Sequence, residues 1–467
     1  MRSLCSLNLH GLALVALLIV PAAAAQTAED VLLLSRRQAT LGAELAGQGG
    51  AAIGGMPGWT ASFSNPANLG WLRTSEATAS VDLTGTESDA AYRLSGDDAS
   101  LGLDGRTLEG STRSSGARLG HLGYAAKVPT VRGSLVVGLG YNRTSTYDRA
   151  LFYDAEVTGT LGDGTVVADR FEEDVFAEGQ AGELSAAAAV EIAPGVMVGG
   201  SVNFLFGSYF TESIGAASFF GDDSVVFSID QEARGVNARV GISAEAQRGF
   251  RLGFVVETPT YVNVVEETID SFGDLFPVDY DFTTPWRLGA GVVYQIAGAT
   301  FAADVEYVDW SQARLRTDGF TSEDDLLFIA DQNSTLRRTY DDAFTTRFGA
   351  AYDFGIATAR FGLAYQPDPL RDATGLVVDR ARREVAVDAV ADRLRRTVTA
   401  GVGIRVGRSS EINIALVNTR FEDQLVAIDN VFPDGDDSGT LSNPESLRLV
   451  LEDVTRTTLV VGATFGF

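Results

Sequence analysis

Cysteine, histidine and lysine are nearly missing from this chain of 467 residues, and each shortage closes off a chemistry. The only cysteine is Cys5, and the two histidines are His10 and His121. Cys5 and His10 fall in an N-terminal leader. The mature chain therefore offers no thiol for a disulfide, a thiolate metal site or a cysteine nucleophile. A single imidazole excludes multi-histidine metal centres, and any Ser–His hydrolase would have to be built on His121. Lys127 is the only lysine, and 36 basic residues stand against 62 acidic ones, for a formal charge of −26. So acidic a chain repels nucleic acid, and no nucleic-acid partner is expected. Proline is scarce at 12 while glycine reaches 51, which fits neither collagen nor a disordered chain. No apolar run reaches the roughly 20 residues of a membrane helix. The run Gly11 to Val20, preceded by Arg2 and followed by Ala23-Ala24-Ala25 before Gln26, marks residues 1–25 as a secretory signal.

What the chain does have is alternation. From residue 74 to the C-terminus, about fourteen period-2 segments carry apolar side chains on one face, the rhythm of an outer-membrane barrel. In Trp286 to Gln295, one face reads Trp286, Leu288, Ala290, Val292, Tyr294 and the other Arg287, Gly289, Gly291, Val293, Gln295. The same parity recurs in Phe348, Ala350, Tyr352 and Phe354, in Val398 to Ile404, and in Leu135 to Tyr141. Short connections are expected near 129, 194, 248, 297, 356 and 408. Long polar loops are expected over 85–116, 148–180, 210–232, 265–284, 311–344, 367–393 and 422–450, placing both termini on the short-turn side. Unpaired backbone is not tolerated in hydrocarbon, so such strands must close into a barrel with the apolar face outward. A soluble β-sandwich also alternates, but has no need of this short–long order or of aromatics at the strand ends. The last strand places Leu459, Val461, Ala463, Phe465 and Phe467 on one face, ending on an aromatic carboxy-terminal residue. That arrangement resembles the signal by which outer-membrane barrels are recognised by the barrel assembly machinery.

Residues 26–73 differ. An apolar stretch, Val31 to Leu34, precedes a Gly-rich run from Leu41 to Gly58, then Trp59, Phe63 and the turn formers Asn65-Pro66-Ala67-Asn68. This segment is neither strand-periodic nor polar enough for a disordered tail, and reads as a compact plug for the barrel of residues 74–467. The pairs Gly138/Gly140, Gly289/Gly291 and Gly401/Gly403 lie inside strands and open no helix, so they are not nucleotide loops. Their parity puts them on the lumen side, where missing side chains make room for a plug. The lumen is also expected to carry Arg239, Arg251, Arg287, Arg347, Arg360, Glu191, Glu245, Asp304 and Glu306. His121, counted on the parity of Leu119, Gly123 and Ala125, reads as structural or interfacial. Acidic clusters such as Glu323-Asp324-Asp325 and Asp434-Gly435-Asp436-Asp437 lack calcium-ligand spacing. No catalytic residue, metal or cofactor is expected.

Asn65-Pro66-Ala67 after a Gly-rich run, followed by Leu69, resembles the N-terminal hatch of the FadL family of outer-membrane transporters of long-chain fatty acids and hydrocarbons. Thr284 to Gly291 followed by Ala303 to Ser311 resembles that family's internal strand pair and its aspartate–tryptophan–serine ending, and Gly195 to Tyr209 is similar to another of its segments. The resemblance implies an all-β, fourteen-stranded transmembrane antiparallel barrel with the hatch in its lumen. It implies capture of a hydrophobic small molecule at the extracellular loops, a hatch rearrangement involving Phe63, Asn65, Pro66, Ala67 and Asn68, and lateral release into outer-membrane lipid beneath the lipopolysaccharide. In the family an inward kink of an early strand forms the lateral opening; here Ser134 to Tyr147, interrupted by Gly138, Gly140 and Asn142, occupies that place. The loops 311–344 and 367–393 are more acidic and Arg-rich than a greasy groove suggests. A secretion-shuttle barrel that binds a protein partner, or a general porin, is the alternative.

Overall fold

A computed structural model describes residues 31–37, 42–95, 108–160, 166–217, 224–269, 275–316, 323–369, 375–378, 384–387, 393–407, 409–429 and 446–467. The expected signal and the acidic cluster 434–437 lie outside the described residues. Twenty strands form: β1 Glu76–Ser95, β2 Leu108–Val128, β3 Leu135–Thr146, β4 Arg149–Thr160, β5 Val166–Ala193, β6 Val196–Ala217, β7 Ser224–Gln247, β8 Phe250–Glu257, β9 Tyr261–Ile269, β10 Leu275–Thr283, β11 Arg287–Ile296, β12 Ala299–Asp309, β13 Arg314–Leu315, β14 Asp342–Asp353, β15 Ala357–Gln366, β16 Gly375–Val378, β17 Glu384–Val387, β18 Arg395–Arg405, β19 Ser410–Asp429 and β20 Ser446–Gly466. The described helices are α1 (residues 31–35), α2 Gly42–Ala46, α3 Trp59–Ser62, the 3-10 turns Pro66–Trp71 and Trp310–Gln312, and α4 Glu323–Thr339.

Fourteen of the strands pair in one antiparallel ring, in the order β1, β2, β3, β5, β6, β7, β8, β11, β12, β14, β15, β18, β19, β20. The ring closes where β20 returns to β1, in register from Glu76↔Gly466 to Ser95↔Leu447. Closure removes the sheet edges that hydrocarbon would not tolerate. The two faces separate as the parity predicts. Along β11 the burial alternates without a break from Arg287 to Tyr294, with Leu288, Ala290, Val292 and Tyr294 exposed. Around the barrel Leu139, Phe204, Val240, Phe301, Phe348 and Leu416 likewise face outward and exposed. An apolar belt of that extent on a water-facing surface would be an aggregation site, whereas facing lipid it is the stable arrangement. No described helix is long and apolar enough to cross a membrane.

The short connections near 129, 194, 248, 297 and 356 join neighbouring staves, and residue 408 of the sixth lies outside the described residues. At Gly195 (φ 73°) and Gly249 (φ 78°) the chain turns through left-handed backbone, which glycine enters without a Cβ clash. The long connections differ from expectation. β1, β2, β5, β6, β7, β19 and β20 run on through much of the sequence assigned to polar loops, and β5 reaches 28 residues. A membrane strand needs only about 9–11, so these staves project beyond the bilayer as hairpins. β4 adds to β5, β9 to β7, β10 to β9 and β13 to β10, extending the wall on the loop side. The stretch 311–344 contains α4, which begins at Glu323 within the acidic triplet.

A second correction concerns His121. The β1–β2 register slips between Ser80 and Val81, pairing Ser80 with His121 but Val81 with Leu119. Gly120 is the extra residue of this bulge, and a bulge switches the face of everything beyond it. Leu119 therefore points out, while His121 points in and is buried.

Leu416 lies near mid-height of β19 on the outward face. Leu416→Arg is expected to destabilise the barrel by about 2–4 kcal/mol in reversible unfolding from phospholipid bilayers, with Leu416→Phe close to wild type. Equal effects of the two would place this face elsewhere than in lipid.

Candidate functional site

Residues 42–72 lie inside the ring, and the wall is cut to receive them. A Cβ on Gly289 would come 2.8 Å from Ile53 Cδ1, and one on Gly291 2.8 Å from Gly54 N. A Cβ on Gly349 would meet Gln48 O at 2.5 Å, and one on Gly199 would meet Ala67 N at 2.5 Å. On the opposite wall Gly123, Gly138 and Gly140 make the flat seat of the Trp59 indole. Backbone brought this close to a wall needs partners for its polar groups. The Asp304 carboxylate accepts Ala52 N at 2.6 Å and Ile53 N at 2.9 Å. Thr399 accepts Gly49 N at 3.0 Å and donates to Gly47 O at 3.1 Å. Arg239 Nη1 donates to Phe63 O at 3.0 Å, and Glu76 accepts Trp59 N. Trp59, Phe63, Leu69 and Leu72 complete the seat by packing on Ala125, Val136, Ala187 and Ala189.

The Asn65 to Asn68 stretch is the knot of this segment. Asn65 caps the 3-10 turn, its Oδ1 accepting Ala67 N at 3.1 Å, while its Nδ2 donates to Ile53 O at 2.9 Å and to Ile242 O of β7 at 3.2 Å. Pro66 starts the turn, where a missing N–H costs nothing. Asn68 Nδ2 donates to Ala52 O at 2.8 Å and Ala61 O at 3.1 Å. Phe63 meets Trp59 edge to face, with ring centroids 5.5 Å apart. Phe63, Asn65, Pro66, Ala67 and Asn68 are thus brought together, all buried.

On the loop side of this floor, charged groups cross the lumen. Arg37 Nη1 donates to Glu257 Oε2 at 2.7 Å and its Nη2 to Glu257 Oε1 at 2.8 Å, with Glu183 at 3.4 Å. Arg239 bridges Glu183 and Glu257 at 2.5 Å each. Arg287 lies 3.6 Å from Glu257 and 3.5 Å from Glu306, which Arg347 approaches at 3.8 Å. These groups, with Ile53, Phe63 and Ser64 beneath and Asn142 and Thr144 at the side, line a small cavity of about 60 Å³. Farther toward the loops the lumen turns apolar. Tyr147, Val264, Tyr280, Phe282, Trp310, Ile329 and Leu336 form a chamber, and Val31, Leu32 and Leu34 of α1 fill it. Burying three such side chains is worth about 1.5–3 kcal/mol each. Arg36–Asp368 at 2.6 Å and the Arg37 contacts hold the segment there.

Beside the cavity the wall is broken. β2 and β3 pair only up to His121↔Asn142, after which β3 follows β5, with a slip between Arg143 and Ser145. Residues 142–146 are buried in succession, the mark of a strand turned into the lumen. Ion pairs span the breach: Arg118 to Asp148 at 2.5 and 3.2 Å, and Arg143 of β3 to Asp82 of β1 at 2.5 Å. Gly138 and Gly140 lie below the break, in the paired part of β3, and Asn142 lies at it.

Other expected lumen residues are dispersed. Arg360 pairs with Glu411 and with Glu44 of α2, and Arg251 stacks on Trp71 at 4.2 Å. Glu191 and Glu245 sit at short turns instead, where bulges beside them turn their carboxylates onto Gly195 N and Gly249 N, 2.9 Å each. Glu183 and Glu257, central to the network, escaped sequence reasoning. Glu183 shares the parity of Ser185 and Ala187 and could have been found by extending that strand one residue; Glu257 closes β8 and carries no such signal. His121 is held between Thr78 and Ser80, 2.7 Å on each ring nitrogen.

A fourteen-stranded barrel with a filled lumen, an apolar exterior and a breached early strand is the class these features define. Among solved structures the chain has the fold of FadL-type barrels. It resembles a FadL homologue of Pseudomonas aeruginosa at 14% identity over 92% of this chain and 99% of that one, with TM-score 0.56. The toluene transporter TodX of Pseudomonas putida matches at 16% identity over 91% and 98%, TM-score 0.51. The toluene transporter TbuX of Ralstonia pickettii matches at 15% over the same shares, TM-score 0.51. No sequence-family model matches the chain, and no curated protein matches it by sequence.

Gly291→Val places methyl groups where Gly54 N and Ile53 Cβ stand. The barrel is expected to keep its heat-modifiable gel migration while residues 42–72 lose their seat, read as a stepwise rise in single-channel conductance in planar bilayers. Unchanged conductance would mean that this contact does not hold the segment.

Proposed function

We propose that this chain is an outer-membrane transporter of hydrophobic compounds, with residues 26–73 as its hatch and residues 1–25 as its export signal. The observation that carries the reading is the apolar chamber on the loop side, held by the chain's own Val31, Leu32 and Leu34. An apolar molecule arriving between the loops gains about 25 cal/mol per Å² on leaving water, and competes with α1 for the same walls. Displacing α1 loosens the Arg36 and Arg37 contacts, and so uncouples the top of the hatch from β8. Phe63, Asn65, Pro66, Ala67 and Asn68 form the part of the hatch that remains seated or shifts as a unit. Lateral release then runs through the break beyond Asn142, between β2 and β3, into the lipid leaflet beneath the lipopolysaccharide. No covalent step or cofactor enters. The toluene transporters with the same fold support the substrate class. A general porin needs an open lumen, whereas here residues 42–72 occupy it. The C-terminal strand ending at Phe467 is the feature offered to the assembly machinery.

Two measurements test this. Leu34→Asp puts a charge into the chamber and is expected to expel α1, raising the affinity of the purified protein for alkane or toluene several-fold in calorimetry; lowered or unchanged affinity refutes competition by α1. The cysteine-free mature chain permits a clean cross-link. Joining Arg118→Cys to Asp148→Cys with a reducible bis-thiol linker is expected to cut hydrocarbon uptake by cells about tenfold or more, with recovery on reduction. Full uptake in the linked state would place the exit elsewhere.

A further inference from the structure

Asn142 holds an unused amide. It is 1% exposed, it lines the cavity above the floor, and neither Oδ1 nor Nδ2 has a hydrogen-bond partner among the described residues. A buried amide left without partners costs free energy, so one that faces a cavity calls for an occupant. The charged groups around the same space indicate what the occupant is not. Glu257 is held by Arg37 and Arg239, Glu183 by Arg239, and Glu306 stands between Arg287 and Arg347. A carboxylate entering here would meet Glu183, Glu257 and Glu306, and an ammonium would meet the four guanidiniums. Either must break an existing pair, at a cost that buried ion pairs make large. The amide of Asn142 instead presents one acceptor and one pair of donors in a plane. Its complement is an uncharged group carrying an acceptor and a donor side by side. Beneath it Ile53 and Phe63 give the cavity an apolar floor.

We propose that this cavity is a head-group site for neutral amphiphiles, in which Asn142 reads a carboxamide-like head with paired donor and acceptor atoms. The proposal rests on the transport reading and narrows it, from any hydrophobic compound to one with an uncharged polar end. It also accounts for a polar cavity standing directly below an apolar chamber: the alkyl part and the head are matched to different layers of one lumen.

The test is calorimetric titration of the full mature protein in amphipol with octanamide, octane, octanoate and octylamine. Wild type is expected to bind octanamide about tenfold tighter than octane, the scale of one well-made buried hydrogen bond pair, and to disfavour both ions. Asn142→Leu, similar in size and without polar atoms, is expected to bring the octanamide-to-octane affinity ratio to about one. Asn142→Asp retains the acceptor and adds a charge, and is expected to move the preference toward octylamine. Octanamide binding no tighter than octane, a ratio that survives Asn142→Leu, or octanoate as the tightest ligand each overturns the proposal. Octane binding to wild type reports separately on the transport reading, because it does not involve Asn142. If no ligand binds wild type, both fall, and heat-modifiable migration of each variant excludes misfolding as the cause.

Discussion

Backbone-to-wall packing is the constraint on which the rest of this molecule depends. A fourteen-stranded barrel encloses more space than its inward side chains fill, and here the surplus is taken by residues 42–72. The segment comes near enough that the inward positions facing it carry hydrogen instead of a side chain: Gly123, Gly138 and Gly140 on one side, Gly289, Gly291 and Gly349 on the other. Glycine in a strand weakens it by itself. Around this ring the weakness is offset by contacts that only a bare backbone permits, and by hydrogen bonds that any distance would forbid, such as Asp304 to Ala52 N and Ile53 N. The wall and its occupant are therefore each incomplete alone.

Above that layer the principle changes from shape to charge. The guanidiniums of Arg239 and Arg287 are removed from bulk water, and carboxylates from other strands compensate them. A buried network of this kind adds little net stability compared with an apolar core, yet removing one member leaves an uncompensated charge. It therefore defines position more than it adds strength. Arg37 is the one member that comes from the N-terminal segment, so the network registers whether that segment is in place. The apolar chamber beyond it is filled by α1, which is tied to the wall through its apolar side chains, the Arg36 and Arg37 ion pairs, and the Ser35 carbonyl that accepts from Arg287 at 2.9 Å.

Much of this was legible in the sequence because parity is a strong constraint. Trp286 to Gln295 has one register that keeps lipid and lumen apart, and the structure adopts it. The lumenal placement of Gly289/Gly291 and Gly138/Gly140 followed from the same count. Errors arose where a local irregularity resets the count. The extra residue Gly120 turned Leu119 outward and His121 inward, and bulges beside Glu191 and Glu245 brought those carboxylates to turns. Polar content also misled. The hairpin extensions of β5, β6 and β7 are paired on both sides and lie beyond the lipid, so they need no apolar face and their polar sequences carry no strand signal. Interactions joining distant parts of the chain, such as Arg37 with Glu257 or the unpaired amide of Asn142, have no local pattern to be read at all.

The break between β2 and β3 follows from these same constraints. Below Asn142 the two strands are tied together by Trp59, which sits flat on Gly123 of one and on Gly138 and Gly140 of the other. Beyond His121↔Asn142 no part of residues 42–72 supports the seam, and the inward turn of β3 is held by Arg143 to Asp82. A strand that leaves its neighbour exposes backbone N–H and C=O groups, which lipid does not satisfy. Here β4 folds back across the upper part of the gap, bringing Ala150 O to the hydroxyl of Thr112, and Arg118 closes on Asp148. The opening is thus bounded above by main chain and below by an indole, and is bridged by charged side chains. Of these three boundaries only the ion pairs can part and re-form without unfolding the wall, so any passage at this seam is governed by them.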